Sequence, residues 1–352
     1  MPNLVSIPDL VLESGDILCL PTVAYEAWGC LNHRGDNAIV VCHSLTSDTD
    51  AKSWWPSFIG PGRALDTDRY FVICLNALGS PYGSTSPVSI NPRTDSWYGA
   101  DFPVVTIRDT VKAHHAALLS LGVTEIKLAI GGSMGGMQVL EWSFYGSYVQ
   151  AIAPVAVGGY HSPWGIAWTE AQRNAIYADS LWQGGRYSPD RPPVKGLAAA
   201  RMMAMISYRT AGEFNNRFKR SGSQLPGDPF LVESYLKHHG ERINRRFDAN
   251  CYVHLTRQMN SHDVSRGRGE YVKVLAEISQ PTLVVGISSD LLYPIEEQEE
   301  LARHLPNARL KVIDAPTGHD SFLIESEQIA SFVTAFLNRT RVLATGLANQ
   351  TA

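Results

Sequence analysis

Residues 127–145 read KLAIGGSMGGMQVLEWSFY, and this stretch decides the fold. A short apolar run, Lys127 to Ile130, enters a cluster of glycines with one serine at its centre. A segment of helical character leaves it. Strand, sharp turn and helix therefore follow one another within a few residues. Gly131 and Gly135 flank Ser133 because so tight a turn brings strand and helix too close for side chains. The geometry exposes the Ser133 hydroxyl and sets the N–H of Met134 at a helix N-terminus, where backbone donors lack partners. The same letters also describe a glycine-rich turn with a structural serine, so the rest of the chain must carry the choice.

On either side lie further apolar runs that read as strands buried on both faces: Ala38–Cys42, Tyr70–Leu75, Ala151–Val157, Thr282–Ile287 and Leu310–Ile313. Between some of them fall segments of helical spacing. Thr106–Leu121 places Ile107, Val111, one of His114 and His115, and Leu118 on one side. This alternation predicts an α/β architecture with a mostly parallel central sheet flanked by helices. Gly15-Asp16 between apolar stretches suggests an antiparallel hairpin leading in. After Val157 the alternation stops. Ala198–Tyr208, Phe230–His239 and Ala249–Met259 have helical character, and no strand-like run returns before Thr282. Residues 161–274 thus read as a helical insertion into a core made of 1–160 and 275–352. The closing helix is expected over Glu325–Leu337, with a frayed tail after Arg341.

The chain has 352 residues, 44% hydrophobic and 18% charged, which suits one large globular unit or a core with a smaller module. A formal charge of −4 gives no electrostatic reason to expect nucleic acid or an anionic membrane as partner. No stretch approaches the roughly 20 apolar residues of a membrane span. The N-terminus has Asp9 and Glu13 early and lacks a basic region with an apolar core, so a cytoplasmic location is expected. Five scattered cysteines (Cys19, Cys30, Cys42, Cys74, Cys251) read as buried thiols of a reducing compartment. No His/Cys cluster has metal-ligand spacing, so no metal is expected.

A serine becomes a nucleophile only when a base removes its proton, and the base needs an orienting acid. Asp290 follows the apolar run TLVVGISSD and His319 lies in PTGHDSF, after LKVIDA. Both fall just beyond strand C-termini, the edge where open α/β sheets assemble their sites. Singly, Asp290 also reads as a cap for a helix starting near Pro294, and His319 as a surface residue. Together with Ser133 they stand in the order Ser, Asp, His, and Gly131-x-Ser133-x-Gly135 is similar to the nucleophile elbow of α/β-hydrolase-fold enzymes. His114-His115 and His238-His239 lie in helix-like segments and His33 in a polar turn. Two backbone N–H groups complete the expected site as an oxyanion hole: Met134, and Leu45 from CHSLTSD (42–48) after an early strand. Each such donor is typically worth ~3 kcal/mol of barrier. His43 and Ser44 read as loop hydrogen-bonding groups rather than direct participants.

Several longer motifs occur together: CHSLTSD at 42–48, LGSPYGSTSP at 78–87, GGSMGG at 131–136, HSPWGIAWTEAQRNAI at 161–176, GLAAARMMAMISYR at 196–209, SSDLLYP at 288–294 and GHDSFL at 318–323. In this combination, from about Leu20 to Glu325, the chain resembles the homoserine O-acetyltransferase family, the α/β-hydrolase-fold acyltransferases of methionine biosynthesis. The resemblance implies an acyl group carried by Ser133, with Asp290 and His319 completing a triad. It implies that the helical insertion is a lid whose helices also make a homodimer interface. It implies acetyl-CoA as co-substrate, no permanently bound cofactor, and a hydroxy amino acid as acceptor. The acceptor carboxylate falls to Arg201 in AARMMA, with Arg209 as the second choice, and its ammonium to Asp320. A zwitterion needs such a cation and anion. The chain departs from the family in HSLTSD, where Ala usually follows His and Gly follows Thr. Ser44 and Ser47 stand there instead, near the acyl pocket. That leaves open a succinyl donor or another acceptor, such as serine or deacetylcephalosporin C. One methylene separates serine from homoserine and is worth only ~1–3 kcal/mol of discrimination. A plain esterase of the same fold is the rival of a different reaction class.

Overall fold

The computed structural model describes residues 1–220 and 228–348. Its core is an eight-stranded sheet of β1 (Asn3–Ser6), β2 (Thr22–Trp28), β3 (Ala38–Cys42), β4 (Phe71–Leu75), β5 (Ile126–Gly132), β6 (Ile152–Val155), β7 (Thr282–Ile287) and β8 (Ala308–Ile313). The spatial order is β1-β2-β4-β3-β5-β6-β7-β8. β1 pairs antiparallel with β2, and β2 antiparallel with β4; every other pair in the sheet is parallel. The expected hairpin forms as well, pairing Leu10–Val11 with Ile17–Leu18.

Alternate residues of the central strands feed two cores, as the period of two requires. In β3, Val40 and Cys42 join one core while Ile39 and Val41 join the other. Helices α1 (Ile107–Ser120) and α2 (Met134–Trp142) cover the first face through Val111, Leu118, Val139 and Leu140. The start of α1 is fixed by a capping box, Thr106 taking the Asp109 N–H and the Asp109 carboxylate taking that of Thr106. His114 is the histidine that α1 buries; His115 is half-exposed. The last helix covers the other face with Ile329, Val333 and Phe336.

Several expectations need correction. β8 is not buried on both faces: it is one of the sheet's two edge strands, and Arg309, Lys311 and Val312 are exposed there. Charged edge residues discourage pairing with another chain. The last helix runs over Ser326–Ala348, past the expected end at Leu337, and takes in most of the tail; residues 349–352 lie outside the described ones. Its expected end rested on a polar composition, which does not by itself stop a helix lacking Gly-Pro punctuation. All five cysteines are free, but Cys30 is exposed and Cys19 half-buried, since both lie on loops outside the sheet.

Between β6 and β7 come α3 (Pro163–Tyr177), α4 (Val194–Ser207), α5 (Ala211–Phe218), α6 (Leu231–Asn244), α7 (Ala249–Asn260) and α8 (Tyr271–Glu277). α4 packs against α3 and α6 and overhangs the strand ends. α3 starts at Ser162, whose side chain caps it ahead of Pro163 at the first helical position. No described helix is long and apolar enough to cross a membrane.

Candidate functional site

Ser133 occupies the turn between β5 and α2 with φ +56° and ψ −124°, a conformation that costs strain in any residue but glycine. Its neighbours have no room for side chains. A Cβ on Gly131 would lie 2.5 Å from the Cys42 carbonyl oxygen, and one on Gly135 only 2.1 Å from it. The turn is further held by the Ser133 N–H, which donates to the Val155 carbonyl of β6 at 3.0 Å. Strain is thus maintained by close packing of three strands' ends, and the result is a serine presented over the sheet.

His319 and Asp290 meet beside it. Nδ1 of His319 lies 2.6 Å from Oδ2 of Asp290, with both side chains buried. The other carboxylate oxygen, Oδ1, accepts the N–H groups of Leu292 and Tyr293 at 2.8 and 2.9 Å. Asp290 therefore does not cap the helix over Ile295–His304; it caps its own turn and orients the imidazole. With Nδ1 engaged by a carboxylate, Nε2 is the free acceptor of the neutral ring. Nε2 is buried and has no hydrogen-bond partner among the described residues. Ser133 and His319 line one cavity of about 340 Å³, and Ser133 also interacts with the phenol of Tyr293. Catalytic hydrogen bonds of unliganded sites commonly tighten only when substrate is bound.

Leu45 lines the same cavity, and Met134 is the first residue of α2. Neither backbone N–H donates to a protein acceptor among the described residues, as an anion-binding pair of donors requires. The two serines that depart from the family pattern line the cavity too, and their hydroxyls bond each other at 2.8 Å.

Of the two arginines considered, Arg209 is already committed. It bridges Asp320 at 3.0 Å and Glu213 at 3.0 Å. Arg201 lines the cavity, lies over the Tyr208 ring and reaches the Thr46 hydroxyl at 3.4 Å. Among the described residues it has no carboxylate within ion-pair distance. Asp320 also lines the cavity, next to His319 in sequence. Tyr208 and Tyr293 went unnoticed in the sequence, although ISYR and SSDLLYP contain them. Their rings lie 5.7 and 5.2 Å from that of His319 and wall its pocket. The signal was positional: one follows Arg201 by two helical turns, the other follows Asp290 by three residues. No group of three His, Cys, Asp or Glu side chains suited to a metal occurs among the described residues.

Glu297 sits behind this site with its pKa raised to about 7, chiefly by burial and further by the charge of Asp290, against a lowering bond from Ser162. Its Oε2 is buried without a hydrogen-bond partner among the described residues. A carboxyl whose folded pKa exceeds its unfolded value binds the proton more tightly when folded. Its contribution is therefore fully present below pH ~4.5 and is lost as pH rises to about 7. Glu297→Gln should accordingly raise the melting temperature at pH 8 and leave it nearly unmoved at pH 5. Equal gains at both pH values would assign the effect to packing instead of charge.

Comparison with known proteins adds a second line of support. A family model described as the α/β hydrolase fold matches residues 37–326. A homoserine O-acetyltransferase of Salinibacter ruber is 54% identical over 342 residues, covering 96% of this chain and 97% of that one. One of Chlorobium chlorochromatii is 52% identical over 331 residues, covering 94% and 93%. Among solved structures, esterase E22 superposes with a TM-score of 0.86 at 28% identity, covering 96% of this chain and 99% of that one.

Proposed function

Because the chain belongs to the homoserine O-acetyltransferase family of the α/β-hydrolase fold, we propose that it moves an acetyl group from acetyl-CoA to the side-chain hydroxyl of L-homoserine. The product, O-acetyl-L-homoserine, would serve methionine biosynthesis. The observation that carries this reading beyond plain ester hydrolysis is Arg201. This cation, with no carboxylate partner among the described residues, lines a cavity that also holds Asp320, Ser133 and His319. That arrangement suits the carboxylate and ammonium of an amino acid.

The chemistry runs in two halves. His319 Nε2 takes the proton of Ser133, whose oxygen attacks the thioester carbonyl. The N–H groups of Leu45 and Met134 hold the oxyanion, and the thiol of coenzyme A leaves with the proton from His319. His319 then deprotonates the homoserine hydroxyl, which attacks the acetyl-serine ester and regenerates Ser133. Arg242 and Arg246 line the same cavity and add positive charge, which favours an anionic donor. The helical insertion over 161–274 would act as a lid that keeps water from the ester. A homodimer through those helices and a cytoplasmic location belong to the same reading.

The likeness to esterase E22 makes hydrolysis the alternative. Incubation with acetyl-CoA, with and without homoserine, separates the two. Thiol release should depend on the acceptor and O-acetylhomoserine should accumulate; release indifferent to homoserine would favour an esterase. Homoserine and serine, each with acetyl- and succinyl-CoA, then rank donor and acceptor. Arg201→Ala should raise KM for the amino acid by about 10- to 150-fold, the worth of a charge-assisted pair. It should spare the thioester half-reaction. An unchanged KM would move the carboxylate role to Arg209.

A further inference from the structure

Two fully buried polar side chains beside the oxyanion donors have no part in this chemistry: His43 and Gln138. His43 is fixed in one tautomer. Its Nε2 lies 2.8 Å from the backbone nitrogen of Ala77, which can only donate. Nε2 is therefore the bare acceptor, and Nδ1 carries the proton. Nδ1 donates to the Ser44 carbonyl at 2.8 Å. That carbonyl and the Leu45 N–H belong to one trans peptide, in which the two groups point in opposite directions. Gripping the carbonyl turns the Leu45 N–H away from the imidazole, while Leu45 itself lines the cavity. Burial also disfavours a second proton on the ring, which preserves this bonding state.

Gln138 lies on α2, one turn beyond Met134. Its amide nitrogen is 3.3 Å from the His43 carbonyl oxygen and 3.4 Å from that of Met134. One NH2 group thus ties the loop that carries Leu45 to the helix turn that carries Met134. The two segments are already in contact: a Cβ on Gly135 would lie 3.1 Å from the His43 carbonyl oxygen.

We infer that His43 and Gln138 are positioning residues of the oxyanion site, His43 setting the direction of the Leu45 N–H and Gln138 the spacing of the Leu45 and Met134 donors. Neither touches the reacting atoms. The inference rests on the acyl-transfer reading only in requiring an oxyanion at these donors, whatever the acceptor.

A fluorophosphonate probe tests it without any acceptor. Ser133 Oγ bonds to phosphorus, its proton passes to His319, fluoride leaves, and the phosphoryl oxygen seats between the two N–H groups. Gln138→Met keeps the volume and loses both donated bonds. It should slow labelling about 10- to 100-fold, and slow both half-reactions by the same factor, with KM for the amino acid unchanged. At position 43, an asparagine amide nitrogen falls near the place of Nδ1, whereas glutamine reaches that of Nε2. His43→Asn should therefore keep more labelling rate than His43→Gln, at matched melting temperatures. Wild-type labelling in folded Gln138→Met, or equal losses in the two His43 variants, overturns the inference. Because no acceptor takes part, these rates stand apart from whether homoserine is the substrate.

Discussion

Ser133→Ala should lower acetyl transfer by about 10⁴- to 10⁶-fold while leaving the fold and ligand binding in place. The site gives no substitute nucleophile at that point. Ser44 and Ser47 line the cavity, but their hydroxyls are engaged with each other, and Ser133 alone sits on the strained turn in the cavity it shares with His319. Alanine adopts the same turn at no greater cost, since both residues carry a Cβ. The loss therefore reads chemistry and not folding. Quenching the wild type soon after mixing with acetyl-CoA should give a protein heavier by one acetyl group, localised to the peptide containing Ser133. The alanine variant should stay unmodified. Acetylated wild type that does not pass its label to homoserine would point to hydrolysis. An unmodified wild type in fast turnover would remove the covalent intermediate altogether.

Much of this site was legible because its parts are local. A strand, a glycine-bounded turn and a helix lie within residues 127–145, and each leaves a mark in composition or period. Asp290 and His319 were found from their placement after apolar runs, since parallel strands deliver their C-terminal ends to one edge. What sequence reading left open depends on side-chain direction across long separations. Arg201 and Arg209 stand on or just beyond one helix in similar surroundings, and nothing local separates them. The choice lies in Asp320, more than a hundred residues later, which pairs with Arg209 and leaves Arg201 to the cavity. The inserted helices over Pro163–Tyr177, Ala211–Phe218 and Tyr271–Glu277 were equally hard to delimit. They bury few residues, so their apolar stripe is faint, and capping side chains such as Ser162 and Thr210 mark them better than period does. The edge strand β8 was misread for a related reason. Leu310, Val312 and Ile313 look like a buried run, yet at the end of the sheet Val312 is exposed along with Arg309 and Lys311.

Asp290→Asn should cost about 10⁴-fold in kcat although it changes one atom, and the reason lies in the hydrogen bonds of Asp290. Oδ1 accepts two backbone N–H groups, from Leu292 and Tyr293. An asparagine must put its carbonyl oxygen there, because its NH2 group would face two donors with nothing to accept. The NH2 group is then directed at His319 Nδ1, which in the wild type lies 2.6 Å from Oδ2. A donor in that place makes Nδ1 the acceptor and moves the ring's proton to Nε2. The ring now presents an N–H to Ser133 and cannot take its proton. Leu45 and Met134 are untouched, so a residual rate above that of water should persist. Nitrogen-15 spectra of His319 should report the exchanged tautomer directly. Asp290→Asn within tenfold of wild type, with the proton still on Nδ1, would show that the carboxylate does not govern the base. In that case the pairing of Asp290 with His319 would be a structural contact alone.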